Sequence, residues 1–140
     1  MNIRHWCRHR AGFVLLEILV VIAIIGLLLT LMLPSYQKHI LQSYRLEASA
    51  ELLKLANQQQ LLFAEQGRYT EDLAELGYPQ TSYLTESGRY LISAKLTDDG
   101  FRVFADVAGA QQADIDCQQF QLAHTGIKTS EPETGCWQSL

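Results

Sequence analysis

The chain has 140 residues, 48% of them hydrophobic and 19% charged, with a formal net charge of −4; that length suits one domain, and a mean hydropathy near zero resembles a soluble protein. The average conceals a segregated sequence, because positions 13–33 (FVLLEILVVIAIIGLLLTLML) contain one charge, Glu17, and one other polar side chain, Thr30. This excludes both a wholly soluble globule and a multi-span membrane protein, and leaves a chain that crosses a bilayer once and carries a small C-terminal head.

At the N-terminus, positions 1–12 carry Arg4, Arg8 and Arg10 and no acid, while all 15 acids come later. An arginine-rich flank before an apolar span keeps the N-terminus cytoplasmic and sends the head across the membrane. Without positions 1–12, Lys+Arg falls from 11 to 8 and the net charge becomes −7, so bulk electrostatics gives the head no attraction for nucleic acid. Cys7 lies in the basic flank, and Cys117 and Cys136 lie in the head. In an oxidising compartment a bridge closing a loop of about 20 residues is worth roughly 3 kcal/mol. Two free buried thiols are the alternative. Zinc-like spacing is missing, since His124 is the only histidine between the two cysteines.

The apolar run of 21 residues suffices for a hydrocarbon core of about 30 Å. It is too long for the core of a cleaved secretory signal and ends in Leu33-Pro34-Ser35-Tyr36, without a small-x-small site. A lipoprotein signal fails because Cys7 precedes the run. An uncleaved anchor leaves Glu17 unexplained, since a carboxylate in the span costs about 2 to 3 kcal/mol or more unless it snorkels, protonates or finds a cation. Cleavage between Gly12 and Phe13 creates such a cation, the new α-amine, which on a neighbouring subunit can pair with Glu17 and set axial register.

The segment Ala11-Gly12-Phe13-Val14-Leu15-Leu16-Glu17, between a basic leader and an apolar run, resembles the class III signal of type IV prepilins. Their pattern is Gly, then Phe-Thr-Leu-(Ile or Leu)-Glu; Gly12, Phe13, Leu15 and Glu17 match and Val14 replaces the usual threonine. Gly26 and Pro34 fall where pilins carry helix-breaking residues, and Tyr36 follows. The resemblance implies the type IV pilin fold, an α+β architecture in which a long N-terminal helix packs on a small antiparallel sheet. It further implies that Gly12 is the last leader residue recognised by prepilin peptidase and that Phe13 is the N-methylated start of the mature chain. Glu17 is then the assembly carboxylate, and Gly26 and Pro34 bracket a stretch that loosens on assembly. Independently, interior Gly weakens a helix by about 1 kcal/mol and Pro by about 3 kcal/mol; an ordinary kinked membrane helix is the plainer reading.

Positions 34–65 lack Gly and Pro after Pro34 and continue the helix as an amphipathic half. Leu41, Tyr44, Ala48, Leu52, Leu55 and Leu62 recur at helical steps, with Gln59 the one polar member, and Arg45, Glu51 and Gln58 are expected on the opposite face. With the span, this makes about 50 residues, on the order of 75 Å. Gly67 ends the helix. Positions 66–87 form a loop punctuated by Gly77 and Pro79, with a short helical turn at 71–76. Strand-like stretches follow in the region 88–140, at 89–95, 101–107 and 115–122, the first two joined at Thr97-Asp98-Asp99-Gly100. Tyr90, Ile92 and Ala94 on one strand and Phe101, Val103 and Ala105 on the next form the inward face of three or four antiparallel strands.

The tail, Cys117-Gln118-Gln119-Phe120-Gln121-Leu122, Thr125-Gly126-Ile127-Lys128 and Cys136-Trp137, resembles that of minor pilins of the PilE type. This implies a disulfide between Cys117 and Cys136 bounding a loop displayed on the filament surface.

No nucleophile with its base and no phosphate loop is evident, so no enzyme and no cofactor is expected. His39 and His124 are isolated. Asp98-Asp99 and Asp114-x-Asp116 suggest calcium, as in some secretion pseudopilins, but such acids are common at turns. The leading expectation is a minor pilin of a type IV pilus, taking part in assembly, twitching motility and adhesion. Its partners are other major and minor pilins, prepilin peptidase, the inner-membrane assembly platform and inner-membrane lipid, with no specific nucleic acid. The alternatives are a type II secretion pseudopilin and a DNA-uptake or adhesive subunit. The last needs a basic or aromatic strip, for which Lys95, Arg102 and Lys128 are the candidates. Tyr69, Tyr78, Tyr83 and Tyr90 are assigned to packing.

Overall fold

The computed structural model describes residues 11–137, excepting the side chains of 11–13 and 33–35. The expected leader therefore lies outside the described residues apart from the backbone of positions 11 and 12, as do the side chains of Phe13 and Pro34. Helix α1 spans Ala11–Gln66. Five strands follow: β1 (Tyr83–Leu84), β2 (Tyr90–Thr97), β3 (Gly100–Val107), β4 (Cys117–Ala123) and β5 (Lys128–Pro132). Short 3-10 turns occupy Leu73–Leu76 and Gly109–Ala113. The chain divides into two compact units, Met1–His39 and Ile40–Leu140.

In the first unit every described side chain from Val14 to Met32 is exposed, Leu15 at 69% and Leu31 at 70%. A helix apolar on all sides needs lipid or other protein around it, and this one is long and apolar enough to cross a membrane.

In the second unit α1 ends at Gly67, whose φ of 70° is left-handed and whose N–H donates to the Phe63 carbonyl at 2.8 Å. Beyond it, the Asp72 side chain caps Leu73–Leu76 by accepting from the Ala74 N–H, a tighter and shorter turn than the helix expected at 71–76. The sheet is an antiparallel meander in the order β1-β2-β3-β4-β5. Its central hairpin pairs Tyr90 with Val107 through Thr97 with Gly100. As alternation predicts, Tyr90, Ile92, Ala94, Phe101, Val103 and Ala105 point inward, and together with Phe120 and Leu122 of β4 they pack with Ala48, Leu52 and Leu55 of α1. Fully burying each large side chain contributes about 1.5–3 kcal/mol. Gln59, buried within this apolar stripe, is hydrogen-bonded at both ends of its amide: the nitrogen donates to the Thr70 carbonyl and the oxygen accepts from the Thr70 N–H, so the loop after α1 is stitched back onto the helix.

Three sequence expectations need correction. Arg45 is buried rather than solvent-facing, while Glu51 and Gln58 are half-buried. The strand expected at 115–122 begins at Cys117, because Asp114 is drawn inward and Ile115 is turned out to 69% exposure. Among the described residues there are five strands, not three or four; β1 has only two residues, too few to alternate, and β5 pairs Phe120 with Ser130 through a polar segment. The sheet edges are not left bare. At β2 beyond the short β1, the Leu96 N–H donates to Glu71 Oε1 at 2.7 Å, and at β5 the Trp137 indole N–H donates to the Thr129 carbonyl at 2.7 Å.

Candidate functional site

The exposed apolar helix of the first unit carries the residues singled out in the sequence. Glu17 is exposed on α1 among Val14, Leu15, Leu16, Ile18 and Leu19. Gly26 lies in mid-helix with open space where a side chain would sit, and Pro34 is within the backbone of α1.

In the second unit the face of α1 turned away from the sheet is apolar, which the sequence reading missed. Leu46, Ala50, Leu53, Asn57, Leu61 and Ala64 are all exposed, the leucines at 51, 48 and 56%. Their spacing of four, three, four, four and three residues is helical, so the signal was present in the sequence. It was masked by assigning the charged residues to this face. Lys54 and Glu51, 3.6 Å apart, flank the stripe instead of interrupting it.

A buried polar cluster joins α1 to the turn before β4. Arg45 contacts Asp114 at two points, Nε to Oδ2 and Nη2 to Oδ1, both at 2.7 Å. The Asp114 hydrogen bond raises the Arg45 pKa against an opposing contribution from burial. Gln111, fully buried, donates to Asp114 Oδ2 and to the Leu41 carbonyl, each at 3.1 Å, and accepts from Arg89, whose guanidinium lies 3.8 Å from the Tyr44 ring centre. Asp114, weighed as a calcium ligand, is thus an ion-pair partner. Among the described residues no group of His, Cys, Asp and Glu is arranged to hold a metal. In the loop, Tyr83 stacks on Tyr78 at 4.3 Å and donates to Glu51 at 2.7 Å; burial, followed by that hydrogen bond, pushes the Tyr83 pKa well up.

Cys117 at the start of β4 and Cys136 beyond β5 form a disulfide with a Cα–Cα distance of 5.9 Å. The bridge ties the end of the chain around β5, and Trp137 packs edge-on against Phe120. The outer face of the sheet is polar. Arg102 pairs with Lys95 across β3 and β2, and Lys95 lies 5.7 Å from the Phe104 ring centre. From Arg102 a hydrogen-bonded row runs through Gln121 and Gln119 to Asp106. Lys128 shares the face of its partner Leu122 and lies over Trp137, so it does not join Lys95 and Arg102 in one patch.

An exposed apolar helix continued into a helix packed on an antiparallel meander defines this chain as a type IV pilin. A solved type IV pilin from Shewanella oneidensis is similar, with a TM-score of 0.51 and 25% identity over 69% of this chain and 97% of that one. The type IV major pilin protein PilA of Myxococcus xanthus (strain DK1622) is 31% identical over 110 residues, 76% of this chain and 48% of that protein. This chain therefore spans about half the length of that relative. Residues 34–121 match the model of the family described as "Type IV minor pilin ComP, DNA uptake sequence receptor", and the chain belongs to this family of type IV minor pilins.

Proposed function

We propose that this minor pilin is held in the inner membrane by residues 13–33 with its head in the periplasm. Prepilin peptidase removes the leader after Gly12 and Phe13 is methylated. The subunit then passes through the assembly platform into the filament by packing the exposed apolar surface of α1 against neighbouring pilins. The observation that carries the reading is the exposure of every described side chain from Val14 to Met32, all apolar except Glu17 and Thr30, a surface far larger than a monomer keeps in water. Glu17 within it sets axial register by pairing with a neighbour's α-amine, Gly26 and Pro34 mark the stretch that loosens, and the disulfide-bounded region is displayed outward. Mass spectrometry of the mature subunit tests the processing: a chain starting at Phe13 with one added methyl is expected, and an intact Met1 overturns it. Glu17→Ala leaves insertion and cleavage intact and lowers filament incorporation; unchanged incorporation removes the register role.

A second reading, that the head captures DNA during uptake, is favoured by the Lys95, Arg102 and Phe104 patch together with the family's description. It runs against the acidic net charge and requires local contacts. Two cations on phosphates give a salt slope of about −1.8 in log–log form, and the aromatic ring offers a stacking surface. Lys95→Ala with Arg102→Ala should reduce DNA binding and uptake while leaving pili intact, and unchanged uptake rejects the patch.

A further inference from the structure

Along the line Leu46, Ala50, Leu53, Asn57, Leu61 and Ala64 the outer stripe of α1 contains one polar residue, with exposed Gln60 and Lys54 at its two margins. Asn57 lies near its middle, four residues from Leu53 and four from Leu61, and its side chain is exposed. Asn57 is exposed, so as a monomer surface it is solvated at no cost. Covered by another helix, it must find a partner or lose its hydrogen bonds to water. A single amide in an apolar helix seam therefore weakens the seam overall while favouring the one alignment that satisfies it.

We infer that Asn57 is the register determinant of a helix–helix seam between the outer face of α1 and the apolar helix of a neighbouring pilin. The inference rests on the assembly reading above. The stripe itself indicates its occupant. From Leu46 to Ala64 it rises about 27 Å at roughly 1.5 Å per residue, and the chain's own apolar run at 13–33, whose described side chains are all exposed, offers a helical surface of the same uncharged character on a neighbouring copy apart from Glu17. None of its six positions is charged, which suits neither a phosphate backbone nor a charged peptide. Ala50 and Ala64 allow close approach of a second backbone, and the Lys54 and Glu51 pair stands at its margin as a polar rim.

The experiment uses the full chain in pili assembled in the native host, with a photo-crosslinking phenylalanine analogue in place of Leu61. Crosslinked peptides are mapped by mass spectrometry. With Asn57 present, adducts concentrate within one helical turn of a neighbouring pilin's apolar helix. With Asn57→Leu, incorporation is retained or raised and the adducts spread over two or more turns. Asn57→Leu adducts confined to the same single turn overturn the register role and leave the assembly reading standing. Leu53→Asp reduces incorporation at least fivefold if the stripe is an assembly face. Incorporation unchanged in Leu53→Asp, with no pilin adduct from position 61, removes the seam itself. Asn57 and Leu53 are exposed, so equal melting temperatures of the detergent-solubilised variants and the parent chain separate these outcomes from misfolding.

Discussion

Arg45 and Asp114, 69 positions apart in the chain, meet in a two-point contact at 2.7 Å inside the head. Gln111 extends the contact to the Leu41 carbonyl on the preceding turn of α1. Here the helix is held to the sheet by directional bonds as well as by apolar packing, which fixes its rotation and its height.

Removing Asp114 takes from the buried Arg45 its two-point carboxylate contact. Asp114→Ala should destabilise the head by about 3–5 kcal/mol, and Arg45→Met with Asp114→Leu should recover most of that loss, because the desolvation penalty disappears with both charges. Thermal melting of the chain in detergent, followed by near-UV circular dichroism, provides the measurement. Equal stability of the two variants contradicts the assignment.

The disulfide closes a loop with a sequence separation of 19. Cys117→Ser with Cys136→Ser should cost about 3 kcal/mol through the unfolded chain's regained freedom. The loosening should be local as well, because β5 and the Trp137 cap lie within or beside the loop. Faster hydrogen exchange across 128–132 than across 90–97 is expected.

Alkaline pH should weaken the head. Burial pushes the Tyr83 and Tyr90 hydroxyls above the ordinary tyrosine value, so the folded state favours the protonated form. That contribution is complete below pH of about 10, where the unfolded tyrosines also stay protonated. It is lost as pH rises further, because the unfolded chain releases protons first. Melting temperature should fall above pH 10, and Tyr83→Phe should flatten the fall.

At Gly100 an added Cβ would sit 2.6 Å from the His124 ring. Gly100→Ala should cost about 1–3 kcal/mol by overpacking, and a second change, His124→Ala, should relieve it. If Gly100→Ala costs the same with and without His124, the clash is not the cause.

Much of the molecule could be read in the sequence because its signals are local. The span, the helix of the head, the inward faces of β2 and β3 and the turn at Asp98-Asp99 all follow from periodicity and turn chemistry within a few residues. β5 could not be read this way, since 128–132 is polar and becomes a strand only because β4 offers it an edge. Arg45 was misplaced for a related reason. A charged residue beside an apolar stripe is assigned to solvent unless its counter-ion is known, and Asp114 lies on a distant turn. Gln59 appeared as a flaw in the stripe until the Thr70 backbone supplied a hydrogen bond to each end of its amide.

The sequence by itself determined that the chain has an apolar membrane-length helix with one carboxylate, an amphipathic continuation, and a small head of antiparallel strands. Each follows from short-range spacing of apolar and polar side chains. Only the tertiary structure decided which charges are buried, which residues cap the sheet edges, and that the far face of α1 is an unpartnered apolar stripe centred on Asn57. Those outcomes depend on which face of the helix the sheet covers, and that is settled by pairing partners tens of residues apart.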